Sequence, residues 1–308
     1  MAEVRAAPPP EALAWVTGIL RAPVVGCTAL PQADEAGPWR LDLGDDATPW
    51  LTPRVVLTLG TVGDPGLATE VAALDVALAH RLPAPRVVAA DPTGSEVGQP
   101  AMVQTWITGE SRVPGPGEPS RGRDLGRAAA AIHAVELAPS APLPVRASSL
   151  ATVPFETLPV PAAAADLFAE VRAAVAATPA PSGPTGFVHG DLWQGNTLWD
   201  DGEHVGTLDW DHAGVGHPLV DLGSLRWDLA VLGGGGHDDV VAGWSEVSGT
   251  TLTPEEVARG DLVAVLASVP DLSLWLPNFH AQGRPDLTLE VVTARRDAFA
   301  RSALDALR

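Results

Sequence analysis

Three polar residues in the second half of the chain have the types and spacing of a phosphate-transfer site. Asp191, Asn196 and Asp209 combine two carboxylates with a carboxamide. Oxygen ligands of this kind suit Mg²⁺, and a carboxylate beside a metal-bound phosphate can act on a substrate hydroxyl. Each residue alone would more often be a turn, cap or strand-end residue. The full pattern, His-x-Asp-x-x-x-x-Asn from His189 followed by a hairpin that ends in Asp, predicts phosphoryl transfer.

A predicted β-hairpin explains how the amide and one carboxylate would meet. Residues 200–203, Asp-Asp-Gly-Glu, are a strong turn signal between apolar runs at 197–199 and 205–208. Asn196 and Asp209 are about equally far from the centre of that turn, so we expect them to face each other at its open end. Directly opposed residues in an antiparallel pair have Cβ atoms roughly 4.5–5.5 Å apart. The hairpin therefore predicts a Mg²⁺ site at these two residues.

The elements that must position these residues fall into two groups. Up to residue 107, apolar runs separated by Pro, Gly and Asp predict strands, with one helix whose apolar face includes Leu67, Val71, Leu74 and Leu78. The strands are predicted at 22–26, 39–43, 54–59, 86–89 and 101–107. Beyond a Pro- and Gly-rich stretch, helices are predicted at 123–135, 163–177 and 287–307. This order predicts an α+β fold with two lobes, residues 1–107 and 108–308.

Composition narrows the possible partners and compartment. The chain has 38 acidic and 19 basic residues, a net charge of −19, and it contains Arg but no Lys. This charge disfavours nucleic acid and anionic membranes and favours cationic small molecules, although a compositional bias towards Arg, Ala, Gly and Pro explains most of it. Cys27 is the only cysteine, which excludes an intramolecular disulfide. With no long apolar run and no signal-like amino terminus, the sequence predicts a cytoplasmic protein.

The segments around these residues resemble the aminoglycoside phosphotransferase family, a relative of the protein kinases. The resemblance rests on His189-Gly190-Asp191-Leu192-Trp193-Gln194-Gly195-Asn196, on Leu208-Asp209-Trp210 and on Gly216-His217-Pro218-Leu219-Val220-Asp221-Leu222. It implies a protein-kinase-like fold with a small lobe, made of a five-stranded sheet and one helix, and a larger, mainly helical lobe. It also implies a phosphotransferase that uses Mg²⁺ and ATP or GTP to phosphorylate a hydroxyl of a small molecule, such as an aminoglycoside or another antibiotic.

Family roles transfer to single positions of this chain. The resemblance implies that Asp191 accepts or orients the acceptor hydroxyl and that Asn196 and Asp209 bind Mg²⁺. His189 matches a residue that shapes the catalytic loop, and Asp221 matches a buried carboxylate that braces it. If the acceptor is cationic, further acidic residues are candidates to line its site: Asp228, Asp238, Asp239 and Glu246.

The nucleotide site is implied less completely. The last strand of the small lobe matches residues 101–107, so backbone groups near Gln104, Thr105 and Trp106 are expected to bind a purine ring. Trp106 could equally be an ordinary core residue.

A departure from the family pattern lies in the third strand. The family carries a Lys or Arg there that binds phosphate and pairs with a helix Glu, whereas this chain has Thr58 at that position and Glu70 on the helix. Arg54 and Arg40 are candidate replacements, and neither is convincing from the sequence. Losing one such electrostatic donor typically costs roughly 2.7–4 kcal/mol of transition-state stabilisation.

Two alternatives to an active kinase stay open. The Thr58 substitution is compatible with a degenerate kinase-like protein that binds nucleotide without turnover. A metal-dependent hydrolase built from His189, Asp191, Asp209 and His212 is a second alternative, but it would need several His or carboxylate ligands converging on two metals. The predicted hairpin, with one carboxylate and one amide, fits a nucleotide-bridged Mg²⁺ better.

Overall fold

The computed structural model describes residues 7–34, 37–44, 53–183 and 185–308. The chain divides into two compact units, one formed by residues 1–109 with 205–211 and the other by residues 110–204 with 212–308. The predicted boundary between two lobes at residue 107 stays a prediction. No helix in the described ranges is long and apolar enough to cross a membrane.

The first unit contains a five-stranded antiparallel sheet in the order β1-β2-β3-β5-β4. Its elements are α1 (Pro10–Leu20), β1 (Val24–Asp34), β2 (Gly37–Leu43), β3 (Arg54–Leu59), α2 (Gly66–Ala79), β4 (Val87–Asp91) and β5 (Ala101–Thr105). All five predicted strands and the predicted helix are present, and β3 has the predicted bounds. The buried face of α2 includes Leu67, Glu70 and Leu74, whereas Leu78 is exposed, so the predicted apolar face is only partly right.

Helix α1 was not predicted from the sequence. Three consecutive prolines, Pro8 to Pro10, stand at its start, and such a run suggests that no helix forms there. Pro10, however, lies in the first helical turn, where a proline loses no intrahelical hydrogen bond. The helix buries Ala12, Val16 and Leu20 in a core shared with one face of the sheet. The sheet residues in that core include Trp39, Leu41, Val55, Leu57 and Val103.

The second unit is mainly helical. Its helices are α3 (Gly122–His133), α4 (Ala165–Ala177), α5 (Leu219–Asp228), α6 (Asp238–Ser248), α7 (Pro254–Leu266), α8 (Leu276–Ala281) and α9 (Leu289–Ala306). Its short strands are β6 (Val145–Arg146), β7 (Gly186–Val188), β8 (Thr197–Asp200), β9 (Glu203–Thr207) and β10 (Gly214–Gly216), and the boundary with the first unit falls inside β9. The predicted helices correspond to α3, α4 and α9, and α5 to α8 were missed.

The predicted hairpin is present as a two-stranded sheet of β8 and β9. The two central turn residues, Asp201 and Gly202, have φ angles of 47° and 84°. Positive φ at both positions is the requirement of a type I′ turn, and Asp-Gly is among the pairs that favour it. The opposition of Asn196 and Asp209 across this ribbon stays a prediction.

Candidate active site

The loop that enters the hairpin holds Asp191 and Asn196 together. A short 3₁₀ turn, Gln194–Asn196, directs the carboxamide back along the chain. Its Nδ2 atom donates to the Asp191 carbonyl at 2.9 Å and to Asp191 Oδ2 at 3.1 Å. Because the amide nitrogen makes both bonds, the amide oxygen takes part in neither. An oxygen of this kind suits a hard cation such as Mg²⁺. Asp191 itself stays half-buried, so its carboxylate can reach a substrate.

Asp221, at the start of α5, braces this loop from the core. Its two oxygens accept the backbone N–H groups of His189 and Gly190 at 2.9 and 2.8 Å, and His133 Nε2 lies 2.9 Å away. Burial raises the pKa of Asp221, but the hydrogen bonds from His133 and the His189 backbone outweigh burial and leave it lowered. Asp221 is therefore a buried carboxylate that stays ionised, in the bracing role that the resemblance implies.

Contacts around this loop also explain the roles of His133, Gly190 and His189. Trp244 Nε1 donates to His133 Nδ1 at 3.0 Å, which leaves His133 Nε2 as the N–H that donates to Asp221. Gly190 has a φ of 83°, and a Cβ atom there would lie 2.0 Å from the His212 carbonyl oxygen. The loop therefore requires glycine beside Asp191. His189 is fully buried, and its Nδ1 accepts the Asp191 N–H at 3.2 Å, a structural role.

Asp228 supports the loop from the other end of α5, a role that sequence reasoning missed. It is almost fully buried and contacts Gln194, in the middle of the loop. The available signal was an acidic residue inside the apolar run Leu-Arg-Trp-Asp-Leu-Ala-Val-Leu, residues 225–232. An ionisable residue in such a run is expected to have a specific partner.

Asp209 belongs to the first unit and has a strained backbone. Its φ of 63° is unusual for a residue other than glycine, and such conformations concentrate at functional sites. Glu70 of α2 is buried, and burial raises its pKa well above the ordinary value. The negative charges of Asp209 and Asp211 raise this pKa further, while the Trp210 backbone N–H opposes the effect. A divalent cation bound at Asp209 would relieve this repulsion, so the donor set fits Mg²⁺.

The residues predicted to bind nucleotide lie in the sheet of the first unit, directly after its strand β5, or on α2. Thr58 is half-buried in β3, opposite Met102 of β5. Thr105 donates its backbone N–H to the Arg86 carbonyl and accepts the Arg86 N–H at its hydroxyl. Gln104 is buried in β5, which is paired on both sides. Of the three predicted purine-binding residues, only Trp106 therefore lies beyond the end of the strand.

The acidic residues proposed for a cationic substrate have other partners. Asp238 contacts Arg226 at 3.1 Å, and Glu246 contacts Arg127 at 2.9 Å. Asp239 lies 4.0 Å from Arg123. Asp228 is buried against the loop and the other three have arginine partners, and a role for these residues in binding a cationic acceptor stays a prediction.

A two-metal hydrolase requires several His or carboxylate side chains that converge on its metals. Within the described ranges, no three His, Cys, Asp or Glu side chains converge as a metal-binding group. His212, one of the proposed ligands, instead places its Nδ1 atom 3.0 Å from the Thr152 hydroxyl. The described residues therefore do not supply the ligand set that the two-metal alternative requires.

Comparisons with known proteins identify the family and the fold of the chain. Residues 43–256 match the family model described as the phosphotransferase enzyme family (APH). A search of curated protein sequences finds no significant match. Among solved structures, the chain is similar to macrolide 2′-phosphotransferase MphH from Brachybacterium faecium, with 19% identity, a TM-score of 0.60, and coverage of 96% of this chain and 98% of that chain.

Two further solved structures have a similar fold. One is a choline/ethanolamine kinase family protein from Mesorhizobium loti, with 20% identity, a TM-score of 0.56, and coverage of 93% of this chain and 92% of that chain. The other is a thermostable mutant of the aminoglycoside phosphotransferase APH(4)-Ia in ternary complex with ADP and hygromycin B, with 17% identity, a TM-score of 0.58, and coverage of 95% and 98%. The similarity of these structures establishes the fold, and it confirms the predicted α+β, protein-kinase-like class.

Proposed function

This chain belongs to the phosphotransferase enzyme family, and from that premise we propose that it transfers the γ-phosphoryl group of ATP or GTP to a hydroxyl of a small molecule. The observation that carries this proposal is the loop in which Asn196 fixes both the carbonyl and the carboxylate of Asp191. Asp221 holds that loop rigid through two backbone N–H groups. Preorganisation of this kind is what phosphoryl transfer requires of a protein.

In the proposed mechanism, Asp191 orients the acceptor hydroxyl in line with the γ-phosphorus and receives its proton. Asn196, through its amide oxygen, and Asp209 would hold Mg²⁺. When bound, Mg²⁺ supplies positive charge to the β- and γ-phosphate oxygens. The bonds from Asn196 to Asp191 keep the carboxylate from rotating away from the hydroxyl. The buried Asp221 stays charged and accepts the backbone N–H groups of His189 and Gly190 in this loop.

The negative net charge alone suggests a cationic acceptor, but we propose a broader class of acceptors. Several of the acidic side chains of the second unit are paired with arginines, so the charge of −19 does not translate into a ready-made polyamine site. The solved structures of similar fold include a macrolide 2′-phosphotransferase and a hygromycin B complex. We therefore include macrolides, aminoglycosides and amino alcohols among the acceptors to be tested.

The direct test is acceptor-dependent release of ADP or GDP in the presence of Mg²⁺. Replacing Asp191 by Asn should lower kcat by roughly 10²–10⁴-fold, the usual contribution of a general base, and leave nucleotide affinity unchanged. Asp200→Asn, in the exposed hairpin turn, removes the same charge nearby and should leave kcat unchanged. Full turnover by Asp191→Asn would contradict the role assigned to this residue.

A nucleotide-binding protein without turnover is the second candidate, favoured by Thr58 in the third strand. It predicts that ATP or GTP raises the melting temperature while no acceptor causes release of the diphosphate. The hydrogen-bonded arrangement of Asp191 and Asn196 would then have no catalytic use, which is why we favour the active enzyme.

A further inference from the structure

The sheet of the first unit presents a polar face opposite α1. Residues alternate along β2, so Trp39 and Leu41 enter the core with α1 while Arg40 and Asp42 point to the opposite face. In β3, Thr58 is half-buried by the same alternation. The sequences of the five strands include two arginines, Arg40 and Arg54, and no lysine. A cationic side chain that projects from one of these strands onto the polar face must therefore be Arg40 or Arg54.

The strand register places Arg40 beside the position that lacks a cation. Arg40 pairs directly with Val56, which is two residues from Thr58 on the same face of β3. Diagonal neighbours of this kind are roughly 7–8 Å apart, within reach of a long side chain. Arg54 pairs with Asp42 and lies four residues from Thr58, about 13 Å at the rise of a strand. Arg40 is therefore the nearer candidate.

The hydrogen bonds of Arg40 leave part of its guanidinium without an acceptor. Its side chain is 29% exposed, and one terminal nitrogen lies 3.3 Å from both Thr28 Oγ1 and Asp42 Oδ2, at the long end of the hydrogen-bond range. The Nε atom is buried and has no hydrogen-bond partner in the described part of the chain. A buried N–H of a charged group without an acceptor is unfavourable, so the site is incomplete as it stands.

The local charge also suits an anion. Asp42 is shared between Arg40 and Arg54, at 3.3 Å from each. Arg40 places a guanidinium group on this half-buried face of the sheet, in a chain with a net charge of −19. Guanidinium N–H groups match phosphate oxygens in geometry as well as in charge.

We propose that Arg40, from the second strand of the sheet, is the residue that binds the nucleotide phosphates in place of the third-strand cation absent at Thr58. This inference rests on the proposed function, because its ligand is the α- or β-phosphate of the nucleotide. Arg40 would then contact phosphate from the same face of the sheet as Thr58, but from β2 instead of β3. Arg54 holds Asp42 and makes no phosphate contact.

Calorimetric titration of the full chain with ADP, ATP and adenosine separates phosphate binding from base binding. Arg40→Met should weaken ADP and ATP binding roughly 10- to 100-fold, the range expected for a hydrogen-bonded charge, and leave adenosine binding unchanged. Arg54→Met is the matched control, because it removes the same group from the same face and the same carboxylate partner. It should leave all three affinities unchanged.

A rescue variant strengthens the test. Arg40→Met combined with Thr58→Lys returns a cation to the third strand, and it should regain part of the lost ADP affinity. Arg40→Gln, which retains a donor for Asp42, replaces Arg40→Met if the latter fails to fold, as judged by thermal unfolding, and should show the same selective loss.

Three results would overturn the assignment: unchanged ADP affinity in Arg40→Met, an equal loss in Arg54→Met, or a parallel loss of adenosine binding. Failure of the proposed function looks different. A wild-type chain that binds no nucleotide refutes the kinase itself. Nucleotide binding and phosphoryl transfer that survive Arg40→Met refute only the role of Arg40.

Discussion

The carboxylate of Asp228 accepts two hydrogen bonds from Gln194, a residue of the loop that carries Asp191 and Asn196. The side-chain Nε2 and backbone N of Gln194 lie 2.8 and 3.2 Å from Asp228 Oδ2. The second oxygen, Oδ1, is buried and finds no hydrogen-bond partner among the residues described. Burial raises the pKa of Asp228 to about 7, while the bonds from Gln194 and the charge of Arg284 act in the opposite direction. This loop support therefore changes charge near neutral pH.

Asp228→Asn is expected to change how stability depends on pH. In the unfolded chain the carboxyl ionises near its ordinary pKa of 3.8, whereas in the folded protein it keeps its proton up to about 7. Between these values the unfolded state binds fewer protons, so the contribution of Asp228 to the free energy of unfolding falls as pH rises. Asn cannot ionise and keeps an oxygen for Gln194.

Urea unfolding of the wild type and of Asp228→Asn from about pH 4 to about pH 8 checks this prediction. The stability of the variant relative to the wild type should rise up to about pH 7 and then stay constant. Asp200→Asn, in the exposed turn, should show no such trend. A difference independent of pH would mean that Asp228 is ionised throughout.

Metal dependence tests the two proposed Mg²⁺ ligands. Asn196→Ala and Asp209→Asn should each raise the Mg²⁺ concentration for half-maximal transfer by at least about tenfold, because even outer-shell residues typically contribute 10- to 100-fold to metal affinity. Asp201→Asn removes a charge from the turn of the same hairpin and should leave the Mg²⁺ requirement unchanged. An unchanged requirement in Asp209→Asn would exclude this residue as a ligand.

Close packing of α3 on α6 predicts opposite effects of two glycine replacements. A Cβ atom at Gly126 would lie 2.0 Å from the Val240 carbonyl oxygen, so Gly126→Ala must push the helices apart and should cost roughly 1–3 kcal/mol of unfolding free energy. Gly18, inside α1, has no atom within 4 Å of its Cβ position. Gly18→Ala should stabilise the protein by about 0.5–1 kcal/mol through helix propensity. Chemical denaturation measures both, and equal signs would contradict the packing.

The buried ion pair of Arg226 and Asp261 predicts a strong dependence of stability on both partners. Their side chains meet in two bonds of 2.8 and 2.9 Å between α5 and α7. Arg226→Met leaves Asp261 buried without its cation and should destabilise the fold by roughly 3–5 kcal/mol. Adding Asp261→Leu should recover most of that loss in a double-mutant cycle.

The control for the ion pair is Asp238→Ala. Its side chain is 88% exposed and also contacts Arg226, at 3.1 Å. Exposed pairs of this kind contribute about 0–1 kcal/mol, so the change in the midpoint of denaturation should be small. A loss comparable to that of Arg226→Met would mean that Asp238, rather than Asp261, stabilises the guanidinium.

Local patterns in the sequence were sufficient for the elements with a contrast between buried and exposed positions. The short apolar run at 54–59, bounded by turn residues, predicted β3, and the Asp-Gly turn predicted the hairpin of β8 and β9. Helix α5 was missed because nearly every one of its residues is buried, which removes the polar face that reveals a helix in sequence. Helix α7 was also missed, although Thr253 and Glu256, with Pro254 between them, form a capping box that is typical of a helix start.

The sequence by itself determined that Asp191 and Asn196 meet, because they lie five residues apart and short-range geometry brings them together. Only the tertiary structure decided what surrounds them. Asp228 meets Gln194 across 34 residues, and Arg40 lies beside Thr58 through a strand register that neither segment encodes alone. Such contacts depend on burial and on pairing between distant segments, which are properties of the folded chain as a whole.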